Sequence, residues 1–88
     1  MNNNGAKIAY MVIKIKYFGF ITNNLDSETV LKEGSYISDL LNHLNKQYPN
    51  NKDMLNKATI LVNKSKAVSN TVLNDNDEVM ILNVLGGG

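Results

Sequence analysis

The chain has 88 residues, a net charge of +1 and an apolar fraction of 43%, enough for one domain with one small core. A chain of this size buries only about 60–65% of its unfolded surface, which leaves little room for an enclosed active site. All nine basic residues are Lys, so neither bulk charge nor the guanidinium fork favours nucleic acid, and the absence of Cys excludes disulfides, thiolate metal sites and Cys nucleophiles within the chain.

Residues 1–10 read as a flexible extension, with a polar start, Met1 to Lys7, that has no signal-peptide apolar region. No apolar run approaches the roughly 18 residues of a membrane span, so a cytoplasmic protein with no membrane partner is expected. From Met11 to Tyr17 apolar residues alternate with Val12, Lys14 and Lys16, a period of two that predicts a strand with one buried face. Ser27 to Glu33 predicts a second strand, closed by Gly34. The period then changes: Ile37, Leu40, Leu41, Leu44 and Tyr48 form one helical stripe. Ser35 is the expected N-cap, Asp39 adds charge near the first turn, and Pro49 with Asn50–Asn51 ends the helix. Met54 and Leu55 are expected to tuck under the sheet from a loop or short turn.

Thr59 to Asn63 predicts a third strand, Lys64–Lys66 a turn, and Ala67–Val68 a short fourth strand. Asn74–Asp77 has turn chemistry, with Asn76 able to take a left-handed conformation. Glu78 to Val84 predicts a last, strongly apolar strand. The order β-β-α-β-β-β fits an α+β fold, a β-grasp with a mixed four- to five-stranded sheet and one main helix, over residues 11–85. The first and last strands should lie centrally because they are the most apolar. A ferredoxin-like fold would need a second helix, for which residues 50–57 offer a turn or two at most.

Little in the chain can catalyse a reaction. His43, the sole His, falls off the helical stripe and reads as a surface residue. Asp75, Asp77 and Glu78 lack the spacing of an EF-hand loop and read as a turn. No Gly-rich loop lies between a strand and a helix to cradle phosphate. No metal ligand set and no bound cofactor are expected.

The chain instead ends Leu85-Gly86-Gly87-Gly88, directly after the last strand. At average Gly usage such a triplet arises about 3 times in 10,000. A terminal carboxylate becomes reactive once ATP converts it to an acyl-adenylate, and sulfide or an amine can then displace AMP. Threading a chain end into another enzyme's pocket needs a slim peptide, which Gly supplies. Docking needs a surface as well. In the last strand Val79 and Ile81 share one face while Met80, Leu82 and Val84 share the other, and both faces are apolar. One must pack on the helix. The other is either a partner surface or is covered by residues 50–57, and Phe18 and Phe20 carry the same two readings.

Ile13-Lys-Ile-Lys-Tyr-Phe-Gly19, Glu33-Gly-Ser-Tyr-Ile-Ser-Asp-Leu-Leu41, Leu44 to Pro49, Leu61-Val-Asn63 and Leu73 to Val79 resemble, in order and spacing, the sulfur-carrier family of ubiquitin-like β-grasp proteins. The molybdopterin branch is nearest and the thiamine branch next, over roughly residues 12–88. The resemblance implies that Gly88 is adenylated by an E1-like enzyme using ATP and magnesium, then converted to a thiocarboxylate with a persulfide sulfur donor. Gly86 and Gly87 would give the tail access to partner sites. Phe18, Leu82, Val84 and Leu85 are the candidate partner contacts. In the molybdopterin branch the tail enters the large synthase subunit; thiamine synthesis, tRNA thiolation and conjugation to protein lysines are the alternatives, along with a binding domain whose tail is inert. The molybdopterin branch usually has two prolines before the tail, where this chain has Asn83–Val84.

Overall fold

The structure, a computed structural model, describes residues 8–19 and 25–83. Among these, β1 (Tyr10–Phe18) and β2 (Glu28–Lys32) are followed by α1 (Ile37–Gln47), a 3₁₀ turn (Pro49–Asn51) and α2 (Lys52–Lys57), then β3 (Thr59–Val62), β4 (Ser65–Lys66) and β5 (Glu78–Leu82). The five strands form one sheet in the order β2-β1-β5-β3-β4. β1 and β5 are parallel, and every other pairing is antiparallel. The two most apolar strands are therefore central, as their composition requires.

The alternation in β1 sends Met11, Ile13 and Ile15 to the helix side, where all three are buried. They meet Leu31, Ile37, Leu40, Leu44, Leu55, Ile60, Leu73, Val79 and Ile81 in a single core. The helical stripe is thus the buried face of α1, with Leu41 and Tyr48 half-buried at its margins.

The cap of α1 differs from expectation. Tyr36, not Ser35, is the N-cap residue, and its backbone N–H donates to Asp39 Oδ2 at 2.8 Å. Ser35 instead donates its hydroxyl to the Lys32 carbonyl at 2.7 Å and closes the turn after β2. The next two amides, of Ile37 and Ser38, donate to the carbonyls of Thr71 and Ser69. A loop distant in sequence thus satisfies helix-end donors that a capping side chain could otherwise take. His43 is half-buried and more than surface decoration, because its Nε2 lies 2.9 Å from Thr29 Oγ1 and ties α1 to β2.

Residues 52–57 form a short helix, within the turn or two expected of this segment, with Leu55 as the anchor in the core. The fourth strand is also displaced. It is Ser65–Lys66, because the turn falls at Asn63–Lys64, where both residues have positive φ (50° and 72°). That pair of left-handed residues makes a tight hairpin and pairs Val62 with Ser65. The apolar Ala67–Val68 signal is overridden by this geometry, and Val68 is exposed. Asn76 adopts the left-handed conformation expected of it, with φ of 68°.

Lys64 carries a Cβ in a conformation that disfavours one. Lys64→Gly should therefore stabilise the fold by about 1 kcal/mol, raising Tm by about 4–8 °C in a thermal melt.

Candidate functional site: the end of the central strand pair

The parallel register aligns Lys14 with Glu78, Lys16 with Met80 and Phe18 with Leu82, so β1 and β5 finish side by side. β5 starts in fixed register because the turn before it is already bonded to β1. Asn76 N–H donates to the Val12 carbonyl at 2.7 Å, Val12 N–H to Asp75 Oδ1 at 2.7 Å and Lys14 N–H to the Asp77 carbonyl at 2.9 Å. Asp77 is buried. Its two carboxylate oxygens accept from Asn63 Nδ2 and from the Asn74 N–H, both at 2.8 Å, which joins this turn to the β3–β4 hairpin. The Asp75–Glu78 cluster is therefore a turn, as read from its spacing.

At the other end, Gly19 turns the chain away from β1 with φ of +80°. Asn83 packs against it: its N–H donates to the Phe18 carbonyl at 2.8 Å and its Nδ2 to the Gly19 carbonyl at 3.1 Å. A Cβ on Gly19 would collide with the Asn83 carbonyl oxygen. Two hydrogen bonds and one absent side chain thus fix the point from which the last residues depart. Val84, Leu85, Gly86, Gly87 and Gly88 lie outside the described residues, as does Phe20.

Beside this point, two tyrosines hold the backbone of Asp26. Tyr17 donates its hydroxyl to the Asp26 carbonyl at 2.8 Å, and the Asp26 N–H donates to the Tyr48 hydroxyl at 3.0 Å. Burial, then the neighbouring Tyr48 and Asp26, push the Tyr17 phenol well above its ordinary value. Desolvation also raises Tyr48, against an opposing hydrogen bond from the Asp26 backbone. Both are neutral phenols at physiological pH and act as struts, not as acids or bases.

The two faces of β5 are unequal. Val79 and Ile81 are buried under the helices, while Met80 and Leu82 are half-buried on the opposite face. Leu55 belongs to the core on the helix side, so residues 50–57 do not cover Met80 and Leu82. The register sets Phe18 and Thr59 on either side of Leu82, and Lys16 and Leu61 on either side of Met80. Phe18 is 48% exposed. Phe18, Leu82, Met80 and Leu61 therefore form an apolar strip across the open face that reaches the strand end, bordered by the Lys16–Glu78 ion pair at 3.1 Å.

A shallow groove between α1 and β3–β4, lined by Ile37, Leu41, Ala58, Ile60 and Val68 among others, has Lys66 as its only ionisable side chain. It offers no acid–base pair. Among the described residues no cluster of three or more His, Asp or Glu side chains could hold a metal ion, and no helix is long and apolar enough to cross a membrane.

The structure brings together Phe18 and Leu82. It keeps Met80, which shares the face of Leu82, and adds Leu61, Gly19 and Asn83, which sequence reasoning did not assign to the site. Met80 was legible from its shared face with Leu82, whereas the Gly19–Asn83 contact joins residues distant in the chain and has no local signal. Gly19→Ala forces a Cβ into both a left-handed residue and a backbone contact, so it should cost about 2 kcal/mol or more in chemical denaturation. Asn83→Ala, which removes one hydrogen bond, should cost about 1 kcal/mol.

Comparison with known proteins agrees with this architecture. The profile of the ThiS family matches residues 15–88. A molybdopterin synthase sulfur carrier subunit of Mycobacterium tuberculosis (strain ATCC 25618 / H37Rv) is 29% identical over 80 residues, covering 86% of this chain and 96% of its own length. A solved structure from Pyrococcus furiosus, described as a candidate molybdopterin converting factor subunit 1, superposes with a TM-score of 0.69 at 23% identity, covering 85% of this chain and 99% of its own. Small archaeal modifier protein 1 of Methanosarcina acetivorans superposes with a TM-score of 0.60 at 24% identity, covering 94% and 100%. The two structural likenesses establish the β-grasp fold. Because the profile match runs through more than half of its length, the chain belongs to the ThiS family.

Proposed function

We propose that this chain is a sulfur carrier whose working group is the carboxylate of Gly88. The observation that supports it most is the end of the β1–β5 pair. An anchor at Gly19 and Asn83 and a partly exposed apolar strip through Phe18 and Leu82 lie two residues before a tail of three glycines. The ThiS family match and the Mycobacterium tuberculosis sulfur carrier subunit support the same reading.

The chemistry requires partners. A Gly88 carboxylate oxygen attacks the α-phosphorus of ATP, pyrophosphate leaves with magnesium, and an acyl-adenylate forms on an E1-like enzyme. The terminal sulfur of a persulfide attacks the acyl carbon and AMP departs. A thiol then attacks the donor's sulfur of the resulting acyl disulfide, so that the thiocarboxylate leaves and a disulfide forms between the donor and that thiol. The tail then delivers sulfur in a second enzyme, which we assign to the large subunit of a molybdopterin synthase, the partner type that the relative's name implies. The apolar strip supplies the docking surface, since burying such strips is the main favourable term in association. The chain is a co-substrate that catalyses nothing alone, and its dependence on ATP-using partners puts its work in the cytoplasm.

A protein-modifier role would use the same activated carbonyl with a lysine amine in place of sulfur. Incubation with the E1-like enzyme, ATP, magnesium and a persulfide donor separates the readings. The full chain should gain an alkylatable thiocarboxylate, and a chain lacking Gly87–Gly88 should gain none. Leu82→Lys should leave Tm within a few degrees but lower the rate of sulfur delivery by at least about tenfold. Transfer that survives the truncation would refute the assignment, and isopeptide products in place of thiocarboxylate would favour the modifier.

A further inference from the structure

The two sheet edges are not alike. β4 is two residues long and cannot template a strand, whereas β2 is five residues long, contains no Pro and ends the sheet on the other side. Ile15 N–H donates to the Ser27 carbonyl and Glu33 N–H to the Ala9 carbonyl. By antiparallel alternation, residues 27, 29, 31 and 33 turn their backbone groups toward β1, and Glu28, Val30 and Lys32 turn theirs outward. The Lys32 carbonyl is occupied by two bonds from Ser35, at 2.7 Å and 3.1 Å. The amides of Glu28, Val30 and Lys32 and the carbonyls of Glu28 and Val30 have no partner among the described residues.

The sequence of this edge, Glu28-Thr-Val-Leu-Lys32, is complementary to itself when read antiparallel. We propose that β2 pairs with β2 of a second copy about a two-fold axis at Val30. Val30 then faces Val30 of the other copy through two reciprocal backbone hydrogen bonds. Each Lys32 amide donates to a Glu28 carbonyl across the axis, giving four bonds in all. Glu28 and Lys32 side chains, exposed on one face of the strand, meet as two opposite-charge pairs around two Val30 side chains, each 57% exposed.

The charges select this arrangement. Parallel pairing would set Glu28 on Glu28 and Lys32 on Lys32, and a shift of two residues would oppose a charge to Val30. Lys14 lies across the ladder from Glu28 within the chain and Tyr10 across from Lys32. Lys14 is thus the internal competitor for Glu28, and it is left unchanged in the test. β2 is separated from β5 by β1, so the pairing joins two sheets while leaving both Phe18–Leu82 ends open. It is independent of the sulfur-carrier reading.

Sedimentation equilibrium of the full chain at low salt, up to about 1 mM, tests this. A monomer–dimer equilibrium is expected. Glu28→Lys and Lys32→Glu should each weaken it by about tenfold or more. The double variant E28K/K32E, and an equimolar mixture of the two single variants, should restore it. Val30→Pro, which removes only an outward amide, should abolish it while amide exchange in β1 stays slow. A chain that is monomeric throughout, or a dimer indifferent to these reversals, would overturn the proposal.

Discussion

The parallel pairing of β1 with β5 is the constraint on which the other features rest. Parallel strands cannot be joined by a tight turn, so the chain between them must leave the sheet and return. It does so through β2, α1, α2 and the β3–β4 hairpin. That excursion places both helices on one side of the sheet, where α1 and α2 supply Leu40, Leu44 and Leu55 to the core. The register is set before β5 begins, by bonds from the Asn76 and Asp75 turn to Val12, and it is closed after β5 by Asn83 on Phe18 and Gly19. Both ends of the last strand are thereby fixed relative to the first.

Putting the helices on one side has a second effect. A sheet covered on one face presents its alternate residues to solvent on the other. In β5 these are Met80 and Leu82, which are apolar where charge would be the ordinary choice. The polar members of the same face, Lys14, Lys16 and Glu78, lie toward the start of β5, and the apolar members gather toward its end. The gradient runs toward the end of β5. It separates the core packing of Val79 and Ile81 from the open-face residues to which we assign partner docking.

Much of this was legible in the sequence because it is periodic. The alternation of β1 and the stripe of α1 each follow from one local repeat, and the apolarity of β5 put that strand in the centre. What was not legible depends on contacts between distant segments. Ser35 has the chemistry of a cap, yet Lys32 takes its hydroxyl and Asp39 with the 69–71 loop serves the helix end instead. Ala67–Val68 has strand composition, yet two left-handed residues at Asn63–Lys64 move the strand earlier. The glycine triplet needs no fold to be noticed, but its reading as a reaction centre rests on the strand–helix order before it and on the family resemblance. Its anchor was not legible, because Gly19 and Asn83 meet only once β1 and β5 are paired. The self-complementary edge of β2 likewise acquires meaning only when the strand order leaves it unpaired.

We assign the chemistry of this chain to the Gly88 carboxylate and not to the folded domain. Intact-protein mass spectrometry of the chain purified from its native host should find a species heavier by the difference between one sulfur and one oxygen, with fragmentation placing that difference on Gly88. A chain recovered from cells making sulfur-dependent cofactors with Gly88 always an unmodified carboxylate, and still unmodified after incubation with its activating enzyme, ATP and a sulfur source, would contradict this assignment.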